Sequence, residues 1–146
     1  MLQDLRPLSP YKQNSEGLHF LYDSSRGLWL SVERARYTFG LNSNTAKSRR
    51  WFSIENIPSN LGGHVVERHS RITTVAFSSY KPGNGTIQIC EPNESPLYNL
   101  NLSNETTKII SGLNIPIPKS TQLSALLFLG EFSYPLLTVE LASEFI

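Results

Sequence analysis

The stretch His64-Val-Val-Glu-Arg-His69 gathers two imidazoles and a carboxylate, the side chains that zinc hydrolases use as ligands and base. That centre needs His-x-x-Glu-His on one helical face, and here Arg68 adds one residue to the spacing. Gly62 and Gly63 precede the stretch and Val65 and Val66 fill it, so a strand is expected. On a strand, positions 64 and 69 point to opposite faces, which argues against a metal site. His19 sits in an apolar run and reads as a structural histidine. Cys90 is the single cysteine, with no histidine or basic residue beside it to activate a thiolate, and no Gly-x-Ser-x-Gly occurs. "PGNG" at 82–85 reads as a hairpin turn, and no glycine loop suits a phosphate. Two carboxylates meeting from distant strands, as in a glycosidase cleft, keep a hydrolase open as a third reading. The expectation is a protein that is not an enzyme and carries no cofactor.

One cluster could bind rather than catalyse. "KSRRWF" at 47–52 places Arg49 and Arg50 beside Trp51, and Trp29 is the other large indole. Indoles offer flat apolar faces to a sugar ring, and guanidinium groups hold hydroxyls or phosphates in a planar fork. A solvated strand entry accounts for the same residues.

The elements that would position these side chains are strands. After about residue 18 the apolar residues recur with period two. Leu28, Leu30 and Val32 alternate with Trp29, Ser31 and Glu33; Tyr37, Phe39 and Leu41 follow; Phe52 and Ile54 alternate with Trp51, Ser53 and Glu55. Ile87 and Ile89, then Leu100 and Leu102, then Ile109, Leu113 and Ile115, then Leu137, Val139 and Leu141 continue the rule. Turn-permitting residues punctuate the runs at 23–27, 41–45, 58–63, 81–85, 91–96, 103–106 and 116–120. The spacing leaves little room for crossover helices and predicts an all-β fold, an antiparallel β-sandwich of jelly-roll type. "LYDSSRGLWL" reads as a hairpin, with Gly27 supplying the unusual dihedral.

Segment 120–130 is apolar on both faces, with Leu123, Ala125, Leu127 and Leu129 on one and Leu126 and Phe128 on the other. It is either a strand covered on both sides or a short helix capped by Ser120, and its flanking strands favour the former. A doubly covered strand calls for a second cover, and a neighbouring subunit is the simplest one. Leu123, Leu126 and Phe128 are therefore the expected subunit interface. Residues 1–17 read as an extended N-terminal arm before a domain at 18–146. Leu2, Leu5, Leu8 and Tyr11 recur every third residue, the period of a polyproline-II helix, and Pro7 and Pro10 oppose both helix and inner strand. The arm is either a disordered tail or an anchor that orders in a partner's groove.

Composition sets the limits. A chain of 146 residues forms one core. Charged residues make up 17%, against roughly 25% in typical soluble domains, so the surface rests on Ser, Thr, Asn and Gln. Net charge is +1, which argues against a nucleic-acid partner. The charge is uneven: eight Lys/Arg face three acids between Arg26 and Arg71, and six acids face three Lys from Ile72 onward. No apolar run spans a bilayer and the N-terminus lacks a signal-peptide pattern, so no membrane partner and synthesis in a reducing cytosol are expected.

The order of segments resembles that of small virion-surface proteins of bacteriophages, the head-decoration and head-fibre modules with trimeric jelly rolls of the complement and tumour-necrosis-factor type. The resemblance rests on "LHFLYDSSRGLWLSVERARYTFG", "GHVVERHSRITTVAFSSYKPGNGTIQIC" with Val66, Arg68 and Ile72 in a V-x-R-x-x-x-I pattern, and "LNLSNETTKIISGLNIPIPKSTQLSALLFLG" with its apolar-proline "LNIPIP". It covers roughly 18–142. It implies a homotrimer on the virion surface, a structural role on a capsid, and an N-terminal segment docked to the major capsid protein or another shell protein. The alternative is a carbohydrate- or receptor-binding module of the particle that meets a host surface glycan through Trp29, Arg49, Arg50 and Trp51.

Overall fold

One strand belongs to both layers of the protein and organises the rest. The computed structural model describes residues 11–13, 19–23 and 27–144. In chain order its strands are β1 (Tyr11–Gln13), β2 (His19–Asp23), β3 (Leu28–Gly40), β4 (Ala46–Lys47), β5 (Arg50–Trp51), β6 (Ser53–Ile54), β7 (Ile57–Pro58), β8 (His64–Val65), β9 (Ser70–Cys90), β10 (Pro96–Ile110), β11 (Ile115–Ile117), β12 (Gln122–Ser133) and β13 (Leu136–Glu144). Every ladder is antiparallel. The first half of β9 pairs with β13, which pairs with β3, which pairs with β2. Its second half pairs with β12, and β10 runs beside both halves. The sheet thus curls over itself and closes as a two-layer β-sandwich.

The curl has a local cause. Residues 81–85, expected to be a hairpin turn, lie inside β9, and 103–106, also expected to be a turn, lie inside β10. Gly83 pairs with Glu105 and Gly85 with Leu102, with register shifts on either side of Glu105. Two neighbouring strands therefore bend together, and bulges of this kind turn a corner without ending a ladder. The Asn104 N–H donates to Asn84 Oδ1 at 2.8 Å and ties the corner.

Alternation fills the interior. Phe39, Val75, Phe77, Leu137, Val139 and Leu141 come from one layer, and Ile87, Ile89, Leu100, Leu102, Leu123, Ala125 and Leu127 from the other. Phe77 and Phe132 meet edge to face at 5.5 Å between ring centres. The expected run at 109–115 is two pieces. Ile109 is exposed and Ile110, opposite Val75, packs on the core, because β10 ends there and Gly112 (φ 71°) turns the chain into β11.

The hairpin expected at 21–30 is present, with Tyr22 opposite Trp29 and Gly27 at φ 67°. Segment 120–130 is a strand rather than a helix. Tyr11–Gln13 pairs with β2, so the sheet takes in residues assigned above to the arm. Leu2, Leu5 and Leu8 lie outside the described residues.

A groove where the layers part

The free edge of β12 is lined by the protomer's own chain. Ala46–Lys47, Arg50–Trp51 and His64–Val65 pair along it in turn. The Arg49 N–H donates to the Leu127 carbonyl at 2.7 Å and the Phe52 N–H to the Ala125 carbonyl at 2.8 Å. Ser59 Oγ donates to the Ala125 carbonyl and Ser124 Oγ to the Ser59 carbonyl, both in the interior. Leu123 is 0% exposed and Leu126 1% exposed in the single chain. The cover assigned above to a neighbouring subunit is therefore supplied within the chain, and of the three residues proposed for the interface only Phe128 keeps accessible surface. What segment 46–66 offers outward is a different apolar set, Ile57, Leu61 and Val65, exposed at 53%, 74% and 58%.

The cluster "KSRRWF" is divided by the same geometry. Neighbours on a strand point to opposite sides. Trp51, opposite Leu126, is half-buried, while Arg50 is exposed. Arg49 has a positive φ of 67°, passes 5.3 Å over the Phe128 ring and pairs with Glu94 at 2.6 Å, which ties it to the turn after Cys90. The side chain of Trp29 is outside what the structure describes. Arg49, Arg50 and Trp51 are thus close in sequence and separated in role.

Arg50 reaches a groove of about 900 Å³ at the rim of the sandwich. Gly40, Leu136 and Ser78 form one row of its floor across β3, β13 and β9. Its wall is the tight hairpin β6–β7, in which Ile54 faces Ile57 and the turn is Glu55-Asn56, both at positive φ (48° and 70°). This hairpin breaks what reads in sequence as one alternating strand from Trp51 to Glu55. Gly40 pairs with Ser53 and joins wall to floor. On the opposite lip, the Leu41 N–H donates to the Pro135 carbonyl (3.1 Å) and the Tyr134 N–H to the Ser43 carbonyl (2.8 Å). Ser133 Oγ donates to Asn44 Oδ1 at 2.6 Å. Tyr134 has φ 46° and meets Tyr80 edge to face at 6.4 Å.

His64 closes one end of the groove. Its ring stacks on Tyr37 at 4.5 Å and meets the edge of Phe39 at 5.3 Å, which ties β8 of one layer to β3 of the other. Burial lowers its pKa below the ordinary imidazole value, against a weaker upward pull from a hydrogen bond with the Thr38 backbone. Its Nε2 is buried without a hydrogen-bond partner. Tyr37 is shifted the other way, upward, first by burial and then by the negative charge of Glu67. His69 belongs to a separate structure, where Nδ1 accepts the Lys119 N–H at 3.3 Å. Among the described residues no three metal-ligating side chains gather. Cys90 is buried, and its thiol is pushed up to about 12 by burial and by Glu94 and Glu91.

Of the residues singled out from sequence for ligand binding, Arg50 alone is brought to the groove among those whose side chains are described. Tyr134, Asn42, Ser53 and Asn56 were not legible as site residues. The signals were the Ile-Glu-Asn-Ile and Ser-Tyr-Pro turns at 54–57 and 133–135, each short enough to pass for strand.

No protein-family model and no curated protein sequence matches this chain. Among solved structures, a chain in "Structure of infectious bursal disease virus Gx strain" is similar at 14% identity over 78% of this chain and 37% of that one, with a TM-score of 0.24.

Proposed function

We propose that the protein is a non-enzymatic structural component of a virus particle, a β-sandwich that assembles as a homotrimer and decorates or reinforces the shell at the virion surface. The observation that carries the assembly part is the apolar set Ile57, Leu61 and Val65. Three large apolar side chains within nine residues stay half or more exposed on a segment that is hydrogen-bonded down onto β12. Large apolar side chains left exposed together on one segment suit contact with another protein. A charge-poor surface is in keeping with a chain that meets neighbours on several sides. The number of subunits, the phage particle and docking through the N-terminal segment rest on the resemblance of strand order to trimeric head-decoration modules.

The test is the solution mass of the full chain by light scattering after size exclusion, beside Leu61→Asp. A trimer for the native chain and a lower mass for a folded Leu61→Asp support the reading. A monomer at all concentrations removes the assembly on which it rests.

A further inference from the structure

We propose that the groove between the β6–β7 hairpin and Tyr134 is a binding site for a neutral carbohydrate. Three independent features of the groove point there, and none of them depends on how the protein assembles.

The first is its chemistry. The polar residues that line the groove include Asn42, Asn56, Ser53, Arg50 and Glu55. Planar amide, guanidinium and carboxylate groups match the paired, adjacent hydroxyls of a pyranose, which donate and accept in one plane. Arg50 and Glu55 have opposite charges, and neither forms an ion pair among the described residues. They cancel in the groove while leaving their hydrogen-bonding capacity free, which suits an uncharged ligand. Burial lowers the pKa of His64 and so disfavours its charged form.

The second is an aromatic wall. Tyr134 is 48% exposed, and its ring is braced at right angles by Tyr80. An exposed ring beside Leu136 offers an apolar face to the C–H side of a sugar while its hydroxyl stays in water.

The third is backbone strain. Left-handed φ is uncommon outside glycine and is costly for a bulky side chain. It occurs at Tyr134 on one lip, while Glu55 and Asn56 on the other adopt it as the two central residues of a two-residue hairpin, and Arg49, Glu94, Asn104 and Ser120 share it elsewhere. At Tyr134 such a backbone persists only where the surroundings hold it. The Tyr134 lip is held by the hydrogen bonds from Leu41 to Pro135 and from Tyr134 to Ser43, so its geometry exists before a ligand arrives.

The full chain is applied to an array of neutral, sialylated and sulfated oligosaccharides, with Arg50→Ala and Tyr134→Asn alongside. Asparagine tolerates the left-handed backbone, so Tyr134→Asn removes the ring without unfolding the turn. The expected result is retention on neutral glycans and at least a tenfold loss in both variants, with melting curves close to the native one. Arg50→Lys keeps the charge but not the planar fork, and a loss there of similar size guards against misfolding of Arg50→Ala. No retention on any neutral glycan, retention undiminished in the variants, or retention confined to acidic glycans each overturns the proposal. The oligomeric mass of Arg50→Ala is expected to equal that of the native chain, so failure here is distinguishable from failure of the assembly.

Discussion

Gly85 and Gly130 face each other across the ladder between β9 and β12, at φ 148° and 99°. A Cβ built on Gly85 collides with the Leu129 carbonyl oxygen, and one built on Gly130 collides with the Asn84 carbonyl oxygen. The obstacle in both cases is backbone, which cannot swing aside as a side-chain tip can. The pair lets two strands approach at the corner where the sheet curls over, so a local steric fact sets the global shape.

Gly85→Ala and Gly130→Ala are therefore expected to prevent cooperative folding or to lower the melting temperature beyond the range of single surface changes. Gly112→Ala is the control. It shares the left-handed backbone (φ 71°) but has nothing within 4 Å of the added methyl. Its cost is that of the dihedral alone, about 1–2 kcal/mol, or a few degrees in melting temperature for a chain of this size. Thermal unfolding followed by circular dichroism compares the three. Equal losses would mean that the dihedral, not the backbone contact, makes glycine necessary at the corner.

Period-two alternation made most of the sandwich legible, through Phe39, Leu100, Leu137 and their partners. It fails at Leu129, which a register shift after Leu127 leaves 54% exposed, and at residues 87–90, which are buried on both faces. The errors fall where strands bend instead of ending. "KPGNG" and "SNET" carry turn residues, and turn composition cannot tell a hairpin from a paired bulge, since both need the same permissive dihedrals. Leu126 was misassigned for another reason. Its apolar surroundings were foreseen, but the cover came from residues 46–66, whose two-residue strands are too short to show periodicity. The groove was hidden in the same way, because Glu55 and Tyr134 adopt left-handed backbones that their residue types do not advertise.

The stability of the protein is expected to fall on mild acidification through His64. Its pKa in the folded state is lowered from 6.5 by burial against Tyr37 and Phe39. The unfolded chain therefore binds the proton more readily, so stability rises with pH across this window and is lost as pH drops below 6.5. His64→Phe keeps an aromatic ring in the stack and removes the proton. Urea midpoints measured from pH 7.5 to 5 should decline less steeply in His64→Phe than in the native chain. Parallel curves would show that His64 does not carry the effect.

Cys90 should be inert while the protein is folded. It is 0% exposed, and a thiol pushed up to about 12 has almost no thiolate at pH 8. Ellman's reagent is expected to leave the native protein unmodified and to label it fully in urea. The native labelling rate then reports how often the end of β9 opens. Complete modification within minutes in buffer would place the thiol at the surface, contrary to the burial described here.

Leu126 and Leu61 separate folding from assembly. Leu126 is 1% exposed, so Leu126→Asp buries a carboxylate with no partner provided for it and is expected to yield insoluble or unfolded chain. Leu61 is 74% exposed, and a charge there meets water. Leu61→Asp should keep the native melting curve to within about 1 kcal/mol, as surface substitutions do, while lowering the solution mass. Val65→Asp, at 58% exposure on the same segment, should act in the same direction. A native mass in both folded variants would move the contact surface elsewhere on the sandwich. A folded, soluble Leu126→Asp of reduced mass would restore β12 itself as the place where subunits meet.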